Sequence, residues 1–249
     1  MKKFAALTLG MLSMTAYANT SVTGISQAPV TEPTEQGWQG QMGLGLLAIP
    51  EYFGSSSAET MAMPLINMSY NDTYYMNIGT LGAWLYKNDN GFRAGTIITS
   101  HRGVREEDLA EEHIGYGNRH DSIMGGFNIA YRQGRFNAEL QVTSDISGQS
   151  NGNKLLAQAS YTFLATQDYT LTAIASVENI DSDMVDYYYD VDSSTVNYSA
   201  GLAGTYNLNQ DWSIFAIALH TRLGDEISDS AIAERDHGTI GILGLTYKF

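Results

Sequence analysis

Residues 136–143 read Phe136-Asn137-Ala138-Glu139-Leu140-Gln141-Val142-Thr143. Phe, Ala, Leu and Val fall on one side of an extended chain, and Asn, Glu, Gln and Thr on the other. Successive side chains of a strand point to opposite faces, so this period of two predicts a strand with one apolar and one polar face. The same alternation runs through Leu155, Ala157, Ala159, Tyr161 and Phe163 against Gln158, Ser160 and Thr162. It returns in Tyr169, Leu171, Ala173, Ala175 and Val177, and in Val196, Tyr198, Ala200 and Leu202. Segments 38–48, 61–71, 73–86, 91–102, 121–133, 210–222 and 237–249 carry noisier versions of it. The chain is therefore read as all-β.

A soluble β-sandwich or a lipocalin-like barrel alternates in the same way. Three features point instead to a transmembrane antiparallel up-and-down β-barrel over residues 38–249. The segments run about 10 to 13 residues, longer than the usual 5 or 6 and suited to crossing a bilayer at a tilt. Aromatic residues flank the short turns, as in Tyr131 and Phe136, Phe163 and Tyr169, and Tyr206 and Trp212. Rings at one level beside tight turns make an interfacial girdle. Connections also alternate: 133–135, 164–168 and 207–210 are short, whereas 102–121, 146–153, 179–194 and 222–237 are longer. Short periplasmic turns and longer outer loops are the outer-membrane rhythm, with the polar face turned to the lumen. Leu243, Leu245, Tyr247 and Phe249 alternate to the last residue, and such a terminal aromatic resembles the signal read by the barrel insertion machinery. The segments number eleven, and single-chain bacterial barrels are even. Twelve strands are expected, with 73–86 split or a strand within 103–120; ten is the alternative if 38–48 does not span.

The N-terminus fits an export signal over residues 1–18. Lys2 and Lys3 precede the short apolar run Phe4–Met14, and Ala16-Tyr17-Ala18 supplies a small-x-small cleavage site. That run is too short for a membrane helix, which takes about 20 residues. Residues 19–37 are polar, contain Pro29 and Pro33, and read as a flexible periplasmic lead-in. The 249 residues hold 27 acidic against 13 basic side chains, a net charge of −14, which argues against nucleic acid as a partner. Absence of cysteine excludes a disulfide scaffold, thiolate metal sites and cysteine catalysis. Only 16% of residues are charged, below the ~25% of soluble proteins, as a lipid-facing surface requires.

Little in the chain points to catalysis, a metal or a cofactor, and the protein is expected not to be an enzyme. His101, His113 and His120 lie in or beside the acidic 102–121 loop without a metal-ligand spacing, and a short helix fits Glu106–His113. Asp181, Asp183, Asp186, Asp190 and Asp192 surround Tyr187-Tyr188-Tyr189 but lack the EF-hand pattern. His220 and Ser228, with Asp225 and Glu226 between them, read as polar loop residues rather than a hydrolytic centre. Trp84, Arg93, Arg132, Glu139 and Glu178 are candidates to fill the lumen.

Trp38 with Gly43 and Gly45, followed by Pro50-Glu51-Tyr52-Phe53-Gly54-Ser55, resembles the opening of the MltA-interacting protein family (MipA/OmpV). Asp186-Tyr187-Tyr188-Tyr189 before Tyr198, Ala200 and Gly201 is similar to its tyrosine-rich loop. Leu223-Gly224-Asp225 with Ser228-Asp229-Ser230 is similar to its last outer loop, and Gly244–Phe249 to its ending, in which Tyr247 and Phe249 are the motif positions. The chain departs from the family in having Asp190 where the family usually has glycine and Ala231 where it has proline. The resemblance implies an outer-membrane scaffold that links a lytic transglycosylase to a peptidoglycan synthase. Its signature residues look like turn and packing positions, with tyrosines in the girdle. Contacts with outer-membrane lipid and lipopolysaccharide are expected. A narrow pore for small solutes is the alternative, and a surface adhesin or lipid-modifying enzyme a third.

Overall fold

The computed structural model describes residues 37–113 and 115–249. The expected signal peptide and all but the last residue of the lead-in lie outside the described residues. Twelve strands close into one antiparallel barrel, each paired to its neighbours in sequence and β1 paired to β12. They are β1 (Trp38–Pro50), β2 (Ala58–Tyr70), β3 (Tyr74–Asn77), β4 (Thr80–Lys87), β5 (Phe92–His101) and β6 (Ser122–Gln133), followed by β7 (Phe136–Asp145), β8 (Asn153–Ala165), β9 (Tyr169–Ile180), β10 (Thr195–Asn207), β11 (Trp212–Arg222) and β12 (His237–Lys248). Among the described residues no helix is long and apolar enough to cross a membrane.

Twelve strands arise because segment 73–86 breaks into two. Ile78-Gly79 turns the chain, Gly79 at φ 73°, and Asn77 pairs with Thr80. Only glycine adopts that backbone without steric cost. The resulting β3–β4 hairpin is short. Above it Arg102, just past β5, donates to the Pro50 carbonyl at 3.1 Å and pairs with Glu59, tying β5 to the β1–β2 corner.

Outward side chains form the apolar band: Leu44 is 71% exposed and Phe127 68%. At the end bearing the start of β1, the last residue Phe249 and the short turns, rings pair as Trp38 with Tyr70 at 5.1 Å and Trp212 with Tyr247 at 5.2 Å. This end is periplasmic by the convention of outer-membrane barrels, and the rings form its girdle.

The lumen is not polar throughout, contrary to the sequence expectation. β6 to β10 turn Asn128, Gln141, Thr143, Gln158, Ser176, Asn197 and Ser199 inward, all buried. The opposite wall is apolar inside as well as outside: Leu47, Ile49, Met63, Leu65, Phe215, Ile217, Leu219, Ile240 and Ile242 pack in one cluster with Ile78 from the hairpin tip. Twelve strands enclose less space than a water-filled sixteen-stranded porin, so side chains can fill this interior as a packed core.

Closure depends on glycine at the seam. Gly43 pairs with Thr246, and a Cβ there would lie 1.9 Å from the Leu245 carbonyl oxygen. Gly241, on the same seam, would meet only the Ala48 methyl, at 3.9 Å. Gly43→Ala is expected to destabilise the folded barrel by ~1–3 kcal/mol, the usual cost of overpacking. Gly241→Ala is expected to leave it unchanged, as read from urea midpoints of the heat-modifiable folded form.

Candidate functional site

The two ends of the lumen differ. The outer end is shut by four loops, and the periplasmic end opens as a vestibule.

In the cap, loop 51–57 interlocks with loop 223–236. Tyr52 Oη donates to the Ile232 carbonyl at 2.8 Å, and the Gly54 carbonyl accepts from the amides of Glu234 and Arg235 at 2.8 and 2.9 Å. Ser56 hydrogen-bonds the Glu234 carboxylate. Between β9 and β10 a helix forms over Ser182–Tyr189. Asp181 caps it by accepting from the Met184 amide at 3.2 Å, and Asp190 ends it in the left-handed region at φ 54°. Its Met184, Val185, Tyr188 and Tyr189 are buried against Tyr52, Val104, Ile180, Leu223, Ile227 and Ile232. Tyr188 Oη donates to the His120 carbonyl at 3.0 Å and shares a 2.8 Å hydrogen bond with Ser122 Oγ. Tyr116 Oη donates to the Tyr188 carbonyl at 3.0 Å. Arg119 lies 4.6 Å over the Tyr116 ring and pairs with Asp190 at 2.9 Å. Loops far apart in sequence thus share one apolar core and one hydrogen-bond network. Just beneath, the buried Lys154 and Glu178 pair at 3.1 Å.

The vestibule is a cavity of about 200 Å³ lined by the periplasmic ends of the strands, including Gln39, Met68, Tyr131 and Lys248. A bulge in β4 between Trp84 and Tyr86 leaves Leu85 and Tyr86 both exposed on the outer face while Trp84 lines the cavity. Tyr75 and Trp84 stack at 5.0 Å and 27°, and the Arg93 guanidinium lies 5.9 Å over the Trp84 ring. Gly82 makes room for the stack, since a Cβ there would fall 2.1 Å from Tyr75 Cζ. Arg93 is held by Asp72 at 2.7 Å, from a turn in which Asn71 and Asp72 both take positive φ. Deeper, Asn128 Nδ2 donates to Tyr75 Oη and to Glu139 Oε1, both at 2.8 Å, and Gln141 Nε2 donates to Glu139 at 3.1 Å. Thr80 Oγ1 and Gln158 Oε1 are buried at the cavity wall without a hydrogen-bond partner among the described residues. The vestibule therefore offers stacked rings, two guanidiniums, two carboxylates and uncommitted polar atoms to the periplasm. Such a mixture suits binding more than bond making.

The sequence candidates sort between the two ends. Trp84, Arg93, Arg132 and Glu139 all line the vestibule, whereas Glu178 lies beneath the cap. Trp38, Tyr247 and Phe249 mark the periplasmic rim, and Phe249 exchanges backbone hydrogen bonds with Gly40. Glu51, Tyr52, Gly54 and Ser55 fall in the cap beside Pro50, as do Tyr188, Tyr189 and Ser230, whose Oγ donates to the Ile227 carbonyl at 2.7 Å. Tyr52, Tyr188 and Tyr189 are thus buried in the cap core and not in the girdle, because the loops fold inward over the lumen. The expected helix at Glu106–His113 is two 3-10 turns, Glu106–Asp108 and Glu111–His113. His220 faces outward and bonds Thr239 at 3.0 Å, while Ser228 Oγ donates to the Asp225 carbonyl, so the two do not share a hydrogen bond. Among the described residues no group of three or more His, Asp or Glu side chains could hold a metal ion. Sequence reasoning missed Tyr75, Asn128 and the helix. An Asp N-cap followed by Met184, Val185, Tyr188 and Tyr189 at helical spacing was its visible signal.

The family model described as MltA-interacting protein MipA matches residues 42–249. The chain is 22% identical over 227 residues to the MltA-interacting protein of Escherichia coli K12, covering 84% of this chain and 89% of that protein. It is 24% identical over 208 residues to the putative outer membrane protein YiaT of the same organism, covering 76% and 82%. Among solved structures it is similar to an outer-membrane channel from Pseudomonas putida F1, with a TM-score of 0.48 and 12% identity, covering 91% of this chain and 98% of that one.

The cap phenols make its stability depend on pH. Burial, then the Glu234 carboxylate, pushes Tyr52 up to about 12, and burial, then Asp190, pushes Tyr116 up to about 12. In the unfolded chain tyrosine titrates near ~10. The folded state therefore holds these protons longer, and their contribution is full below about pH 10 and lost as pH rises toward 12. Hydrogen exchange of the 182–189 helix amides in detergent micelles is expected to show constant cap protection up to about pH 10 and a decline above it. The decline is expected to be shallower in Tyr52→Phe.

Proposed function

The chain belongs to the MltA-interacting protein family, and from that premise we propose that this outer-membrane β-barrel is a non-catalytic scaffold that engages a murein-remodelling enzyme, a lytic transglycosylase, from its periplasmic face. The observation that carries the proposal is the inequality of the two ends: a packed cap outside and an open, chemically mixed vestibule inside. A pore needs a continuous aqueous path, whereas here the packed cap stands over the outer end of the lumen. A periplasmic docking protein needs one accessible end and a rigid body to present it. The name of the Escherichia coli relative, which covers most of this chain, supports a transglycosylase as the class of partner. A peptidoglycan synthase is the second partner the family resemblance suggests, brought to the same face by the first.

In crosslinked cells the tagged protein is expected to co-purify a membrane-bound lytic transglycosylase. Replacing Trp84 and Arg93 together by alanine is expected to lower that recovery by about tenfold, equivalent to ~1.4 kcal/mol. Tyr188→Phe in the cap is expected to leave it unchanged. Equal recovery by the vestibule variant would overturn the proposal. Refolded protein in planar bilayers is expected to give no conductance steps above background.

A further inference from the structure

The outer end of the β11–β12 hairpin carries a patch whose basic side chains have no part in the vestibule or in the cap contacts described above. Arg222 closes β11 directly across the ladder from His237, and His220 lies across from Thr239. Arg222, His220 and His237 are exposed while Thr221 and Gly238 are buried, so the three face away from the lumen. The two imidazole rings are 5.4 Å apart. Arg235, exposed two residues before His237, adds a second guanidinium. Glu234 and Asp236 are the acidic groups of the same exposed run; Glu234 is hydrogen-bonded by Ser56, and Asp236 Oδ1 lies 2.7 Å from His237 Nδ1. Neither arginine enters an ion pair among the described residues.

The depth of this patch follows from the girdle at the other end of the same hairpin. Trp212 and Tyr247 are directly paired and sit at the periplasmic interface. β11 has 11 residues. At ~3.4 Å per residue along the strand and a tilt of ~45° the hairpin climbs roughly 24 Å, the height of the apolar band of such barrels. Between the two levels the outward residues of both strands, Ile214, Ala216, Ala218, Gly241, Leu243 and Leu245, carry no charge. Arg222 and His237 therefore stand where the hydrocarbon ends and the outer headgroups begin. Tyr198, across from Arg222 on β10 and 56% exposed, puts an interfacial ring beside them. The chain as a whole holds 27 acidic and 13 basic residues. Arg222, His220 and His237 on its outward rim, with the exposed Arg235 in the adjoining loop, run against that balance.

We propose that Arg222, Arg235, His220 and His237 form a binding site for the phosphate of an outer-leaflet glycolipid, the phosphorylated headgroup of lipid A. A guanidinium presents parallel N–H donors that match phosphate oxygens, and at the edge of hydrocarbon the pair is poorly screened. The acyl chains of the same lipid lie along Leu243 and Leu245 below. Asp236 holds the His237 ring and tempers the positive charge. The site depends on the barrel and its orientation in the outer membrane, and is independent of any enzyme docking at the vestibule.

The test uses the full chain, delipidated and refolded in detergent, with native mass spectrometry of lipid retained. Diphosphorylated lipid A is expected to be held, and dephosphorylated lipid A with the same acyl chains to be held about tenfold more weakly. Arg222→Gln combined with Arg235→Gln is expected to lower retention of the diphosphorylated lipid by a similar factor, while Arg135→Gln at a periplasmic turn leaves it unchanged. Equal retention of the two lipids by the unaltered chain would overturn the proposal whether or not the double variant folds. So would full retention by a folded double variant, or displacement of the lipid by an equal concentration of inorganic phosphate.

Discussion

In hydrocarbon no water is available to satisfy a backbone amide or carbonyl, and each unsatisfied group costs several kcal/mol. A sheet can meet that condition only by closing on itself. Here closure is made by the β1–β12 ladder, from Gln41 opposite Lys248 to Ala48 opposite Gly241. The pairing brings the first described strand and the last residues of the chain together, which places both at one rim. It also requires Gly43, where any side chain would strike the Leu245 carbonyl. The girdle, the apolar band and the enclosed lumen are consequences of that ring of hydrogen bonds.

Enclosing a lumen poses a second problem, because a space of this width must be packed or wetted. The chain does both, on opposite walls. Phe215, Ile217, Leu219, Ile240 and Ile242 meet Leu47, Met63 and Leu65 as an apolar core, while Asn128, Glu139, Gln141 and Gln158 keep the facing wall polar. The cap then shuts the outer end through contacts such as Tyr52 to Ile232. What remains open is the periplasmic vestibule. A barrel shut outside and open inside has its accessible chemistry on the cell-wall side, the face that the proposed docking would use.

The legibility of each strand tracked the difference between its faces. Residues 136–143 alternate plainly because lipid and polar lumen demand opposite side chains. Residues 212–222 were noisy because Ile214 meets lipid while Phe215 and Ile217 meet an apolar lumen, so hydrophobicity no longer marks the face. The eleven segments became twelve strands at Ile78-Gly79, a turn hidden inside a run that reads as continuous. The tyrosines of the 182–189 helix looked like girdle residues because burial in a cap leaves no periodic trace at so short a length. Asp190 shows the reverse: the family's usual glycine marks the left-handed residue that ends this helix, and here aspartate takes that conformation and pairs with Arg119.

By itself the sequence determined a chain of long alternating strands with an aromatic rim and an aromatic last residue. These are local demands, each residue answering to lipid or lumen at its own position. Which end is shut, where Trp84, Arg93 and Glu139 meet, and how Arg222 and His237 come to share one membrane level were decided only by the tertiary structure. Those relations join residues as far apart as Tyr52 and Ile232, separated by 180 positions. Only the closing of the sheet brings them within reach.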